Sequence, residues 1–501
     1  MYYPNKKEFK KLSKKGNLIP VYKEISADID TPVSCFMKID DGGYSYLLES
    51  VEGGEKIARY SFLGSNPSLV FKSKGKHIEI SAKLTTNDKR LITKQFVTKR
   101  DPIFEIKRLM DNRKFVPVKG LPRFCGGLVG YLGYDIVRFF EDIPDKNPDD
   151  LKIPDSTFML TDTILIFDHV DHKIKVVSNA HIHKGDNAES VYADAVKKID
   201  RLIGKLMTSG PQPKTRSPKP KQTKLSITSN VTKKQFETMV MKAKKYIRQG
   251  DIIQTVLSQR FEIDLKGIKP FNIYRALRSV NPSPYMFYLN FRDMKLVGSS
   301  PEIMVRCEDS LVEVRPIAGT RPRGKTPAED KRLEKELLAD PKEKAEHIML
   351  VDLGRNDIGR VCNFNTVKTD ELMVVERYSH VMHIVSNVVG MLKKDRDIFD
   401  VIRATFPAGT LSGAPKVRAM EIIDELENVR RGAYAGCIGY FSFSGNLDTC
   451  ITIRTLLIKG RKAYMQAGAG IVADSIPRKE YRETQNKARA LIKSIELAQD
   501  F

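Results

Sequence analysis

Hydrophobic and polar positions along this chain follow two periods, and the change from one to the other divides it. Over the first two hundred residues, short stretches of period two are separated by turn-forming residues: "YSYLLESVEGGEKIARYSFLG", then "GGLVGYLGYDIVRFF", then the hairpin pattern "DTILIFDHVDHKIKVVS". These predict strands. Residues 208–224 run through Pro, Ser, Thr and Lys without apolar periodicity and read as an exposed basic linker. Beyond it helices and strands mix. Thr232 and Gln235 stand at capping-box spacing ahead of Phe236, Met239, Val240, Ala243, Tyr246 and Ile247, a helical stripe that stops at Gly250. A strand, "DIIQTVLSQRFEI", should follow. "YMFYLNF", "KLVGSSPEIMVRC", "CIGYFSFSGNLDTCITIRTLLIKG" and "KAYMQAGAGIVA" are strand-like as well, with tight turns that favour antiparallel pairing. The expected organisation is an N-terminal domain over 1–207, the linker over 208–224 and a second domain over 225–501.

Two later segments carry chemistry on a helical period. In "DPKEKAEHIMLVDLGRND", Ala345, Ile348, Met349 and Leu353 recur at helical spacing and Glu343 and Glu346 stand three apart on one face. "SIPRKEYRETQNKARALIKSIELA" opens with Ser475 and a proline in the first turn and stacks Glu480 over Glu483 in the same way. Paired carboxylates suit Mg²⁺, which keeps waters and takes one or two carboxylates together with a substrate's anionic groups. Glutamates on a lysine-rich helix are also commonly solvated or salt-bridged, and Lys487 lies four residues after Glu483.

Composition narrows the class. With 501 residues, 41% hydrophobic and 29% charged, the chain reads as globular. Six cysteines without a CxxC pair suggest neither a zinc site nor a disulfide framework, and the opening "MYYPNKKEFKKLSKKG" lacks the apolar core of a signal peptide, so a cytoplasmic protein is expected. No apolar run reaches the roughly 20 residues that span a bilayer, so no membrane association is expected. The net charge of +23 invites a nucleic-acid reading. Its distribution argues against one: much of the excess sits in the N-terminal lysines and the linker, without any nucleic-acid-binding motif, and a solvated lysine-rich surface that steers anions is the expectation.

The phrases "GDIIQTVLSQR", "VGSSPEI", "RPIAGTRPRG", "AEHIMLVDLGRND", "YSHVMHIVSNVVG", "FPAGTLSGAPKVRAMEIIDELE" and "EYRETQNKARAL" together resemble the chorismate-utilising enzymes. The N-terminal "YLLESVEGG" and "RYSFLG" narrow the resemblance to the anthranilate synthase component I (large subunit) family. It implies an α+β fold of two antiparallel β-sheets packed face to face with outer helices, plus a smaller mainly β N-terminal subdomain. It also implies a lyase that brings ammonia to C2 of chorismate, displaces the 4-hydroxyl and eliminates pyruvate to leave anthranilate, the first committed step of tryptophan biosynthesis. By resemblance, Glu346 and Glu483 ligate Mg²⁺, with Glu343 and Glu480 behind them or reaching it through water. Glu302 is the acid beside the departing hydroxyl, His383 the base for aromatisation, and Thr320 a ligand of the ring or its carboxylate. Tyr434, Arg454 and the backbone of Gly468, Ala469 and Gly470 take the enolpyruvyl carboxylate. His380 and His347 neighbour these motifs without matching the histidine's position.

Sister enzymes of the resembling family differ at two positions. Where salicylate and isochorismate synthases carry a water-activating lysine, this chain has Gln254. Where aminodeoxychorismate synthases read "PIKGT", it has Ala318 and Gly319 in "RPIAGT", which leaves C2 open to ammonia and makes this stretch a floor of the chorismate site. Aminodeoxychorismate synthase component I is the alternative. "LLES" with "NPSPYMFYL" resembles the family's pocket for inhibitory tryptophan, which assigns Glu49, Ser50, Pro284, Tyr285 and Met286, with Phe287, to feedback inhibition. No glutaminase nucleophile motif appears, so ammonia from glutamine implies a separate amidotransferase subunit (component II) in a heterotetramer.

Overall fold

The computed structural model describes residues 1–50, 59–83, 91–208, 225–378 and 381–501. Almost all of the expected linker, and His380, lie outside the described residues. Local signals act where the sequence puts them. Thr232 Oγ1 accepts from the Gln235 amide at 3.3 Å while Gln235 Oε1 accepts from the Thr232 amide at 2.7 Å, closing the capping box of the Lys233–Gln249 helix. That helix ends at Gly250, whose φ of +84° is the left-handed conformation glycine adopts without a Cβ penalty. Asp340 caps the Pro341–Gly359 helix by accepting from the Lys342 and Glu343 amides at 3.0 and 3.3 Å. The Pro477–Leu497 helix begins one residue later than Ser475 suggests: Ile476 is its N-cap, and Ser475 Oγ instead accepts from the Val472 amide at 3.1 Å.

The strands form two 12-stranded sheets, and all the strand pairings within them are antiparallel. The first sheet runs from Leu18–Ser26 through Lys173–His181, Thr163–Asp168, Tyr60–Ser65 and Tyr44–Glu49 to Tyr285–Phe291, Met294–Ser300, Thr455–Lys459, Lys462–Ile471 and Gln254–Asp264. The second runs from Ile317–Pro322 through Val381–Met391, Leu311–Val314, Ile303–Glu308, Leu447–Ile451 and Cys437–Ser442 to Gly127–Leu132, Ser156–Thr161, Leu69–Lys74, His77–Lys83 and Leu91–Val97. The N-terminal region is mainly β as expected, yet its strands continue both sheets. Tyr44–Glu49 pairs with Tyr285–Phe291, and Gly127–Leu132 pairs with Cys437–Ser442. Tyr46, Phe124 and Tyr131 are buried in the same apolar cluster as Phe287, Leu289 and Ile438, so side chains from both ends of the chain share one core.

Helices cover the outer faces. Pro477–Leu497 packs on Lys462–Ile471 of the first sheet, and Pro341–Gly359 packs on Ile317–Pro322 and Val381–Met391 of the second. Each sheet thus lends the site one helix bearing a carboxylate pair. No described helix is long and apolar enough to cross a membrane, and all six cysteines are free and buried.

Candidate active site

Carboxylates of the two helices lie within electrostatic reach of one another, since the charge of Glu483 acts on Glu346. Glu346 accepts from Gln254 Nε2 at 3.3 Å, and burial, then the charges of Glu343 and Glu483, raise its pKa above the usual carboxylate range. Glu343 lies behind it, held 3.1 Å from Arg321 Nη1. Glu480 is raised by burial and by Glu483. Glu483 is paired with Lys487 at 2.7 Å, and the same ammonium donates to the Gly468 carbonyl at 2.9 Å. Among the described residues no three His, Cys, Asp or Glu side chains close into a metal cage. Carboxylates brought near one another from two helices are of the kind that could hold a hard divalent cation that brings its own waters.

Glu302 follows the strand Met294–Ser300 and is buried. Burial pushes its pKa up to about 7 against the opposing pull of Thr410, Lys487 and Arg454. Thr410 Oγ1 donates to Glu302 Oε1 at 2.8 Å, which leaves the other oxygen to carry a proton. His383 stands on Val381–Met391 opposite Thr320, beside a bulge between Ala318 and Thr320. Its Nδ1 lies 3.0 Å from the Gly319 carbonyl and 3.0 Å from Thr320 Oγ1. A carbonyl can only accept, so Nδ1 carries the hydrogen and Nε2 keeps its lone pair. Burial lowers the His383 pKa, with Arg454 adding to the effect.

Arg454 ties these groups together. It is half-buried and held at φ +49°, with its pKa lowered by desolvation against the opposing charges of Tyr434, Glu483 and Glu302. Such a left-handed non-glycine backbone is a strained conformation that persists where surroundings enforce it. Gly468 is close to the Tyr434 hydroxyl, where a Cβ would sit 2.7 Å from it, and a Cβ on Gly470 would sit 2.6 Å from Gln254 Nε2. Ala469 instead packs into the apolar layer with Phe236, Val240 and Ile422, so it offers the site only backbone. Ala318 is half-buried opposite Ile384. His347 is fully buried behind Glu346, within 2.6 Å of Ser386 Oγ, and serves to fasten the helix to the sheet.

Two participants were not legible as such. Lys487 sat in the sequence as a counter-charge to Glu483, yet it also reaches Gly468 and influences Glu302. Thr410 lies in the phrase "FPAGTLSGAPK", whose stretch "GTLSGAPK" reads as a loop bordering the site, but its bond to Glu302, 108 residues away, gave no signal. A separate cavity is lined by Glu49, Ser50, Pro284, Tyr285 and Met286, with Phe62, Phe287 and Tyr440 as aromatic walls. The Glu49 carboxylate itself accepts from the Tyr274 hydroxyl and lies 3.3 Å from Arg278 Nε, two residues outside the cavity's lining.

The family model for the chorismate binding enzyme matches residues 46–493. The chain therefore belongs to the chorismate binding enzymes, in their anthranilate synthase component 1 branch. It is 51% identical to anthranilate synthase component 1 of Acetivibrio thermocellus, with 99% of each chain covered, and 50% identical to that of Aquifex aeolicus, with 98% of each covered. The crystal structure of anthranilate synthase component I from Streptococcus pneumoniae superposes with a TM-score of 0.75 at 37% identity, covering 93% of this chain and 98% of the other.

Proposed function

We propose that this chain binds chorismate between its two carboxylate helices and, with Mg²⁺ on Glu346 and Glu483, converts it with ammonia to anthranilate and pyruvate. The observation that carries the reading is that segments far apart in the chain bring together Glu302 bonded to Thr410, His383 bonded to the Gly319 carbonyl, and Gly468, which lies close to the Tyr434 hydroxyl and accepts from Lys487, the partner of Glu483. Mg²⁺ there would supply a Lewis acid for the ring carboxylate. Glu302, protonated below about 7, gives its proton to the departing 4-hydroxyl, which leaves as water as ammonia bonds to C2 and the ring double bonds shift; the proton shed by the new ammonium restores the acid. His383 Nε2 then takes the C2 proton as the enolpyruvyl C–O bond breaks, and the enolpyruvate leaves to become pyruvate. Arg454 and Tyr434 receive its carboxylate through charge-assisted bonds. Gln254 provides no base for water, which favours ammonia as the nucleophile.

The word "component" in the relatives' names supports a second subunit, a glutamine amidotransferase. Tryptophan in the Glu49–Ser50 cavity makes the enzyme feedback-inhibited at the head of its pathway, in the cytoplasm. The test is fluorescence of anthranilate from the isolated chain with chorismate and Mg²⁺ at alkaline pH. Ammonium should support turnover, glutamine should not, and chelation should stop it. An aromatic amine substituted at C4, or none, overturns the reading.

A further inference from the structure

Behind the site, in "LENVRRGAY", lies an ion pair that the chemistry above does not use. Glu427 and Arg431 are both buried and joined by two hydrogen bonds, Nε to Oε2 at 2.9 Å and Nη2 to Oε1 at 2.6 Å. Removed from water, such a pair is poor as a source of stability, because desolvation offsets its attraction. Its remaining bonds show what it does. Arg431 Nη1 donates to the Leu411 carbonyl at 2.8 Å, next to Thr410, the partner of Glu302. Arg431 Nη2 donates to the Val256 carbonyl at 2.7 Å, on the strand that carries Gln254. Glu427 Oε1 accepts from the Ser258 amide at 2.9 Å and its hydroxyl at 2.7 Å, and Ser258 pairs with Gly468 on the neighbouring strand. The guanidinium also lies 5.5 Å from the Tyr434 ring centroid and 4.8 Å from that of Tyr134.

We propose that the Arg431–Glu427 pair is a positioning device that fixes the Thr410 loop, the Gln254 strand and Tyr434 relative to one another, and so sets the geometry of Glu302 and of the enolpyruvyl pocket without touching substrate. The proposal rests on the functional reading above. Only a planar fork can serve two carbonyls and a carboxylate at once; a lysine keeps the charge but is a single point of donation. Loosening the fork should let Thr410 drift from Glu302. Misplacement of about 1 Å by a group far from the chemistry can cost on the order of 100-fold in rate.

The test is a double-mutant cycle on the full chain with chorismate, Mg²⁺ and ammonium. Arg431→Lys is expected to lower kcat on the order of 100-fold. Thr410→Val should also lower it, and the two together should cost little more than the larger single change, as groups acting through one contact do. Ser258→Ala trims the strand side of Glu427 and leaves the pair in place. It should show the same non-additivity at smaller cost, and it carries the cycle if Arg431→Lys does not fold. Amide exchange should accelerate across 254–258 and 409–413 and stay unchanged across Leu18–Ser26. Effects that multiply independently, turnover at the parent rate, or unchanged exchange in both segments would overturn the proposal. A parent chain that makes no anthranilate overturns the functional reading instead, and the exchange measurement, which needs no turnover, tells the two failures apart.

Discussion

At the scale of the residue, environment decides role. Burial raises Glu302 to about 7, so it is protonated below that pH and ionised above, as the proton donor of the proposed reaction has to be. Rate per unit of free NH₃ should therefore be steady in mild acid and fall as pH rises through about 7, and Glu302→Gln should lose roughly 10²- to 10⁴-fold of turnover. Linkage has the same sign. The folded state holds a proton that the unfolded chain has already released, so this group's contribution to stability is fully present below the ordinary carboxylate pKa and is lost as pH rises through about 7. Glu302→Gln should flatten that stretch of the stability curve in urea titrations; a rate per NH₃ that climbs through neutrality would move the proton to another group. Ser50 rims the second cavity beside Glu49, whose carboxylate Tyr274 and Arg278 hold in place. Losing a charge-assisted bond of roughly 1.5 to 3 kcal/mol to the amino-acid part of tryptophan, Ser50→Ala should raise the inhibitory concentration tens-fold; unchanged inhibition would place the effector elsewhere.

At the scale of the element, the helices act as rigid arms. Spacing of three puts Glu343 with Glu346 and Glu480 with Glu483 on single faces, and the packing of each helix on its own sheet aims these faces at one another. Lys487, one turn beyond Glu483, pairs with that carboxylate, and on the proposed reading it would compete with Mg²⁺ for it. Calorimetric titration of Mg²⁺ should show Glu483→Gln weaker by about tenfold or more. Lys487→Ala removes the competing charge and should not weaken Mg²⁺ at all. Equal weakening by both would mean that Glu483 serves Lys487 rather than a metal.

At the scale of the whole molecule, the two ends of the chain share both sheets. Removing residues 1–224 strips the partner strands from Tyr285–Phe291 and Cys437–Ser442 and uncovers Phe287, Leu289 and Ile438. Long, apolar strand edges of this kind associate with one another. The fragment 225–501 should aggregate and show no cooperative unfolding in calorimetry, whereas the full chain should unfold cooperatively; a soluble, cooperative fragment would make the catalytic region an independent unit.

What the sequence determined by itself was local or carried by motif order. Capping residues, the stop at Gly250, the alternation of Thr163–Asp168 with Lys173–His181, and the carboxylate spacings all follow from the 3.6- and two-residue periods, which act within one element. The family phrases, in their order, pointed to Glu302, His383, Tyr434 and Arg454. The tertiary structure alone decided which elements touch. Strand order within a sheet leaves no mark on hydrophobic alternation, since a strand reads the same beside any neighbour. For that reason neither the merging of the N-terminal strands into both sheets nor the Thr410–Glu302 bond was visible in the sequence. The buried fork of Arg431 was equally hidden, because its partners Val256 and Leu411 are backbone carbonyls, and a carbonyl is the same at every residue.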